Sequence, residues 1–301
     1  MNGETVAFAF GAVGRWLTYL SVVTIVGTAG VAVGIGRTWR VDRSDGVVLT
    51  ERRVLRTAIA AALVLLGVTV WRLYAQAYSV FGLDETVTWE HVRIVAFETA
   101  WGRGWMWQLG AAGLATVLLA SSRHAARAEG ILITVAAVAA VAVFPLTGHA
   151  MSREGGVWLS VAFQVFHVAG VGFWIGTLLI VMMLLRPSSD ETFVAAIRAF
   201  SPLAVAAVTT LVVSGVVTAI TYLGSVSELW SGVYGRTLIL KLVLFAAVAA
   251  LGAYNWRRLR SILDRREQVR ILNRTAPVEL LIAGLTLAVT AVLVALPLVH
   301  D

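Results

Sequence analysis

Residues 157–185 read VWLSVAFQVFHVAGVGFWIGTLLIVMMLL, a stretch of 29 residues without one charged side chain. As a helix rising 1.5 Å per residue it would be about 43 Å long, more than the roughly 30 Å hydrocarbon core of a bilayer requires. The stretch predicts a transmembrane helix, and the chain around it repeats the pattern. Further apolar runs lie at about 6–36, 57–79, 101–120, 130–147, 199–224, 236–256 and 276–299. The expected fold is therefore all-α: a polytopic membrane helical bundle of about eight transmembrane helices.

Composition agrees. Of 301 residues 59% are hydrophobic and 14% charged, well below the roughly 25% charged residues of soluble domains, and the mean hydropathy is +0.84. The formal charge of +7 would point to an acidic partner in a soluble protein. Here it lies in loops between spans, so it reports orientation and gives no reason to expect nucleic acid. Alternate loops hold six arginines between Arg37 and Arg56, then Arg123 and Arg127, Arg186 and Arg198, and seven from Arg257 to Arg274. The opposite loops hold only Arg93, Arg103, Arg153 and Arg236. Basic loops stay in the cytoplasm, so both termini are expected outside, with the chain multi-pass in the cytoplasmic membrane. Met1 to Thr5 lack the basic start of a signal peptide, and the run that follows is read as the first span. The chain divides into an N-terminal four-span half, 1–144, and a C-terminal region, 145–301, within one continuous membrane domain.

Cysteine is absent, which excludes disulfides, thiolate metal sites and cysteine nucleophiles. The chemistry left is concentrated on one side. Of five histidines, His91, His149, His167 and His300 fall at or near the outer face, and His124 lies among arginines on the other. Counted from Arg186, His167 is about 28 Å along its helix and so near the outer boundary, at a level His149 can share. Imidazole binds copper, zinc, iron and nickel, and a thioether adds preference for Cu(I). His149 with Met151, opposite His167, is the candidate copper-collecting pair, and His91 and Met106 are further candidates for capture. His149 as a helix-end residue, His167 as an interhelical hydrogen-bonding residue, His91 as a solvated loop residue and Met106 as a gap filler are the structural alternatives. Gln164, His167 and Trp174 fall broadly on one helical face. Arg15, Arg72 and Lys241 lie inside spans, where they need partners such as Glu90 or Glu98, or must snorkel. Trp101, Trp105 and Trp107 fit an interfacial belt.

The C-terminal region carries Phe200-Ser201-Pro202, Ser214-Gly215, Tyr234-Gly235-Arg236 with Lys241 five residues on, and Asn255-Trp256-Arg257. This order resembles the CopD/PcoD copper-resistance family, and Gly148-His149-Ala150 and His167-Val168-Ala169-Gly170 with Trp174 are similar to its earlier segments. The likeness covers about residues 145–299. It implies a non-enzymatic membrane protein that handles copper ion, with uptake from the outer face toward the cytoplasm and a separate extracytoplasmic copper carrier as partner. Two other readings of the histidines stay open: a membrane redox protein with haem b between His149 and His167, and a copper-delivery factor for a membrane oxidase.

Overall fold

The computed structural model describes residues 3–34, 45–83, 85–122, 129–148, 156–184, 190–222, 227–260 and 265–296. The described residues form helices and no strand. In chain order these are α1 (Gly3–Gly34), α2 (Asp45–Phe81), the short α3 (Trp89–Glu98), α4 (Ala100–Ser122) and α5 (Glu129–Ala142), which ends in a tight turn over Phe144–Thr147. Then come α6 (Val157–Val171), a wider π-helical turn (Gly172–Gly176) and α7 (Thr177–Leu184), which together make one span. The chain continues with α8 (Asp190–Tyr222), the single turn α9 (Glu228–Ser231), α10 (Val233–Arg260) and α11 (Arg265–Leu293).

Among the described residues seven helices are long and apolar enough to cross a membrane, one fewer than the sequence reading. The eighth helix is present: α4 has 23 residues. Its N-terminal half holds Arg103, Trp105 and Gln108, and the polar ones dilute its hydropathy. Gln108 is there because the helix serves a buried polar network described below. The chain is a multi-pass helical membrane bundle.

Two apolar cores meet across α1. One joins α1, α2, α4 and α5 through small residues, Ala58, Ala62, Ala112, Ala115 and Ala136 among them. Small side chains let backbones approach where lipid supplies no hydrophobic drive for association. The other core is bulky: Trp174, Ile180, Met182, Phe193, Phe200 and Leu211 fill the space between α7, α8, α10 and α11. The join is made by glycine. The backbones of Gly27 on α1 and Gly176 on the π turn lie in contact, so a methyl group on either would overlap the other's backbone.

The loop before α3 is tied by hydrogen bonds. Thr88 caps α3, its side chain accepting from the His91 N–H at 3.4 Å, while the Thr88 N–H donates to His91 Nδ1 at 3.3 Å. Arg93 holds both Glu90, at 2.6 Å, and Glu98, at 3.1 Å. Its hydrogen bond is what holds the Glu90 carboxyl below the ordinary carboxylate value.

Candidate functional site

The span built from α6, the π turn and α7 is long and uncharged, so its few polar side chains must find partners inside the bundle. Gln164, His167 and Trp174 do face one way, into a cavity of about 440 Å³. Its walls are mainly apolar, with Val171, Leu211, Phe245 and Leu287 prominent, and Tyr19 of α1 and Lys241 of α10 add polar groups. Along α11 the lining runs from Ala283 to Val294, about 16 Å of helix. The floor is formed by Trp174, Val248 and Ala283, with the Phe245 ring packed edge-on to the Trp174 ring at 6.3 Å.

His167 is held in one orientation. Ser214 Oγ donates to the Thr210 carbonyl at 2.7 Å, so its lone pairs face outward, and His167 Nδ1 lies 3.2 Å from it. With the proton on Nδ1 the ring donates to Ser214 and Nε2 keeps its lone pair; the ring also hydrogen-bonds the Leu211 backbone. A ring fixed through one nitrogen with the other free is how protein-bound histidines are prepared for a metal. The ring also rests against Gly215, whose missing side chain leaves it room.

The remaining candidates are placed as follows. His149 and Met151 lie outside the described residues, as do His124 and His300. Phe144, in the turn Phe144–Thr147, borders the same cavity as His167. His91 is at the start of α3, away from the cavity. Its Nδ1 accepts from Thr88, its Nε2 faces Glu85 Oε1 at 3.3 Å, and its ring stacks on Phe81 at 4.4 Å. Met106 is on α4 with 38% of its surface exposed, and it does not line the cavity. Among the described residues no three His, Asp or Glu side chains cluster as a metal site.

Arg72 pairs with neither Glu90 nor Glu98, which Arg93 already holds. Buried in the N-terminal half, it donates to Gln108 Oε1 at 2.9 Å and to Thr147 Oγ1 at 2.8 Å. Gln108 Nε2 in turn donates to the Phe144 carbonyl at 2.9 Å and to Thr147 Oγ1 at 3.0 Å. This clamp fixes the turn that leads into Gly148 and His149. Trp105 also departs from the interfacial reading: it is buried, and its indole donates to the Thr69 carbonyl at 2.7 Å. Lys241 points into the cavity and makes no ion pair with a described residue.

The fold defines a multi-pass helical membrane protein with a cavity between its spans that His167 lines. Residues 194–293 match the family described as Copper resistance protein D, and residues 7–159 match Copper resistance protein D-like, N-terminal domain. The chain belongs to the copper resistance protein D family. It is also similar to Copper transport protein CutJ of Bacillus subtilis (strain 168), 26% identical over 298 residues, which is 94% of this chain and 52% of the relative. The chain thus spans about half the length of that curated relative. No solved structure matches it.

Sequence reading missed one group. Glu279 of α11 lies within a span, 2% exposed, one helical turn below Ala283 at the cavity floor. A lone carboxylate in an apolar run was visible without any structure.

Proposed function

We propose that the protein carries copper across the cytoplasmic membrane, taking it at the outer face and passing it inward through the cavity beside His167. Both termini are outside in this reading. Residues 1–144 form the four-span scaffold and 145–301 the working region. His167 Nε2 is the fixed ligand. His149 and Met151, delivered from the turn that Arg72 and Gln108 hold, complete the set, with His91 and Met106 as weaker capture groups. Copper is cargo here, so a site with few ligands suits it, since a full coordination shell would slow release. A separate carrier outside the membrane supplies the ion.

The observation that carries the reading is a histidine held by Ser214 in the wall of a cavity of about 440 Å³. The family membership supports copper as the ion. The test is copper content of the purified protein together with uptake of radioactive copper into vesicles. His167→Ala and His149→Ala should each remove most bound copper, and the double variant should add little because one site is already lost. His124→Ala should bind normally. Unchanged copper content in both single variants overturns the site, and a Soret band in the purified protein would replace copper with haem.

A further inference from the structure

Glu279 sits directly beneath the cavity and has no role in copper capture. It is five residues beyond Arg274, about 7 Å into the span from the cytoplasmic arginine belt. Leu293, at the outer end of the helix, is a further 14 residues away, about 21 Å. Two other elements converge on its carboxylate. Asn255 of α10 donates Nδ2–H to Oε2 at 2.8 Å. The Trp174 indole of the π turn donates to the same carboxylate. Thr275, one turn below, donates to Asn255 Oδ1 at 2.6 Å and so fixes which way that amide faces. The oxygen Oε1 lies over Gly252, which contributes no side chain to cover it.

We propose that Glu279 is a proton-binding site at the inner end of the cavity, and that its protonation accompanies passage of the cargo. This deepens the transport reading and rests on it for the identity of the cargo. The arrangement selects a proton over a metal. The oxygens meet N–H donors, which compete with a cation for the same lone pairs, and the group has no sulfur or imidazole neighbour for copper among the described residues. Among the described residues no ion pair to it is formed. Arg274 and Arg258 lie toward the cytoplasm, Arg198 of α8 bonds Gln268, about three turns lower on α11, and Lys241 is 11 residues from Gly252 on the cavity side. An ionised carboxylate this deep is costly even with two donors, whereas the neutral acid gives those donors less to bind. The two states are thereby drawn together in free energy. In the step itself a hydronium ion in the cavity gives its proton to Oε1 and becomes water. The neutral acid later returns the proton to water on the cytoplasmic side. Asn255 is a positioning residue, since an amide already engaged at both ends orients the carboxylate without relaying.

Two measurements test this on the full chain. In copper-free protein, infrared difference spectra between acidic and alkaline buffer should contain the C=O band of a protonated buried carboxyl, shifted in Glu279→Asp and missing in Glu279→Gln. In liposomes holding a pH-sensitive dye, copper added outside should move protons in the wild type. Glu279→Gln should cut that proton movement at least tenfold while copper content of the purified protein stays unchanged. Gly252→Val, which covers Oε1, should do the same with the carboxylate still present. A carboxyl band that survives in Glu279→Gln overturns the proposal whatever copper does, and so does proton movement equal to wild type in that variant. If the wild type moves no copper, the transport reading fails, and the infrared result alone decides Glu279.

Discussion

The two halves of the bundle solve the same problem of polar groups in lipid in opposite ways. In the N-terminal half the spans pack on alanine, and the buried cation Arg72 has neutral acceptors at both ends of its fork. In the C-terminal half the spans are held by large side chains and leave a cavity, and its polar groups, His167, Lys241 and Glu279, each keep unused bonding capacity. In α2 44% of the most apolar window is buried within the bundle, against 11% in α10, so α10 has fewer protein neighbours to hold it in place. A fully satisfied polar group fixes a structure, and a partly satisfied one is left for a ligand. Substitutions in the first half should therefore read out as stability and those in the second as binding.

The largest effect is expected at Gln108. Gln108→Leu removes the acceptor of a buried guanidinium and the donor to the Phe144 carbonyl and Thr147 at once. Leaving one member of a buried charged network without its partner costs about 3 kcal/mol or more. The thermal midpoint of the detergent-solubilised variant should fall by several degrees, and the turn before His149 should become accessible to protease. A midpoint equal to wild type would show that the N-terminal network is not what holds that turn, and the contrast between the halves would lose its first member.

Lys241 offers a smaller effect of opposite kind. The residue shares the cavity with His167, and its ammonium repels any cation held there. Lys241→Met should leave the thermal midpoint close to wild type and tighten copper binding, by about 1 kcal/mol if the charges interact across an effective dielectric near 20. That corresponds to a five-fold lower Kd, measurable by competition with a chelator. Weaker binding would mean that Lys241 supports the site, through a bound anion or by shaping it, and would reverse its assignment.

How far the sequence carries the reader differs between the halves for physical reasons. Run lengths and arginine placement gave the helical bundle, because the bilayer imposes both. His167 was legible as a candidate because an imidazole in a long apolar run has few structural uses, and its alignment with Gln164 and Trp174 follows from helical period alone. The partners of Arg72 were not legible. Carboxylates were sought for it, but the structure uses an amide and a hydroxyl from α4 and the turn after α5, which only tertiary packing brings together. Trp105 was misread for the same reason, since an indole near a span end suits either the interface or an inward carbonyl. The π turn at Gly172–Gly176 follows from the contact between Gly27 and Gly176, two positions far apart in the chain. Glu279 was legible, because a carboxylate in the apolar run 276–299 needs a partner or a proton as much as a basic residue does.

The smallest effect belongs to the outer loop, which serves as the reference for both halves. The hydrogen bond from Arg93 lowers the Glu90 carboxyl below its ordinary value. A depressed carboxylate contributes stability above its unfolded value and loses it as pH falls through the folded one, so this loop should loosen only in acid. Both side chains are open to water, and exposed pairs are screened by salt. Glu90→Gln should therefore leave the thermal midpoint unchanged at neutral pH in high salt, with at most a slight loss in low salt that disappears when the buffer is made acidic. Hydrogen exchange of the α3 amides resolves the change where a global melt does not. An effect of Glu90→Gln as large as that of Gln108→Leu would mean that the outer loop, and not the buried network, anchors the N-terminal half. Copper content should be the same in wild type and variant, because Glu90 neither lines the cavity nor touches the turn that leads to His149.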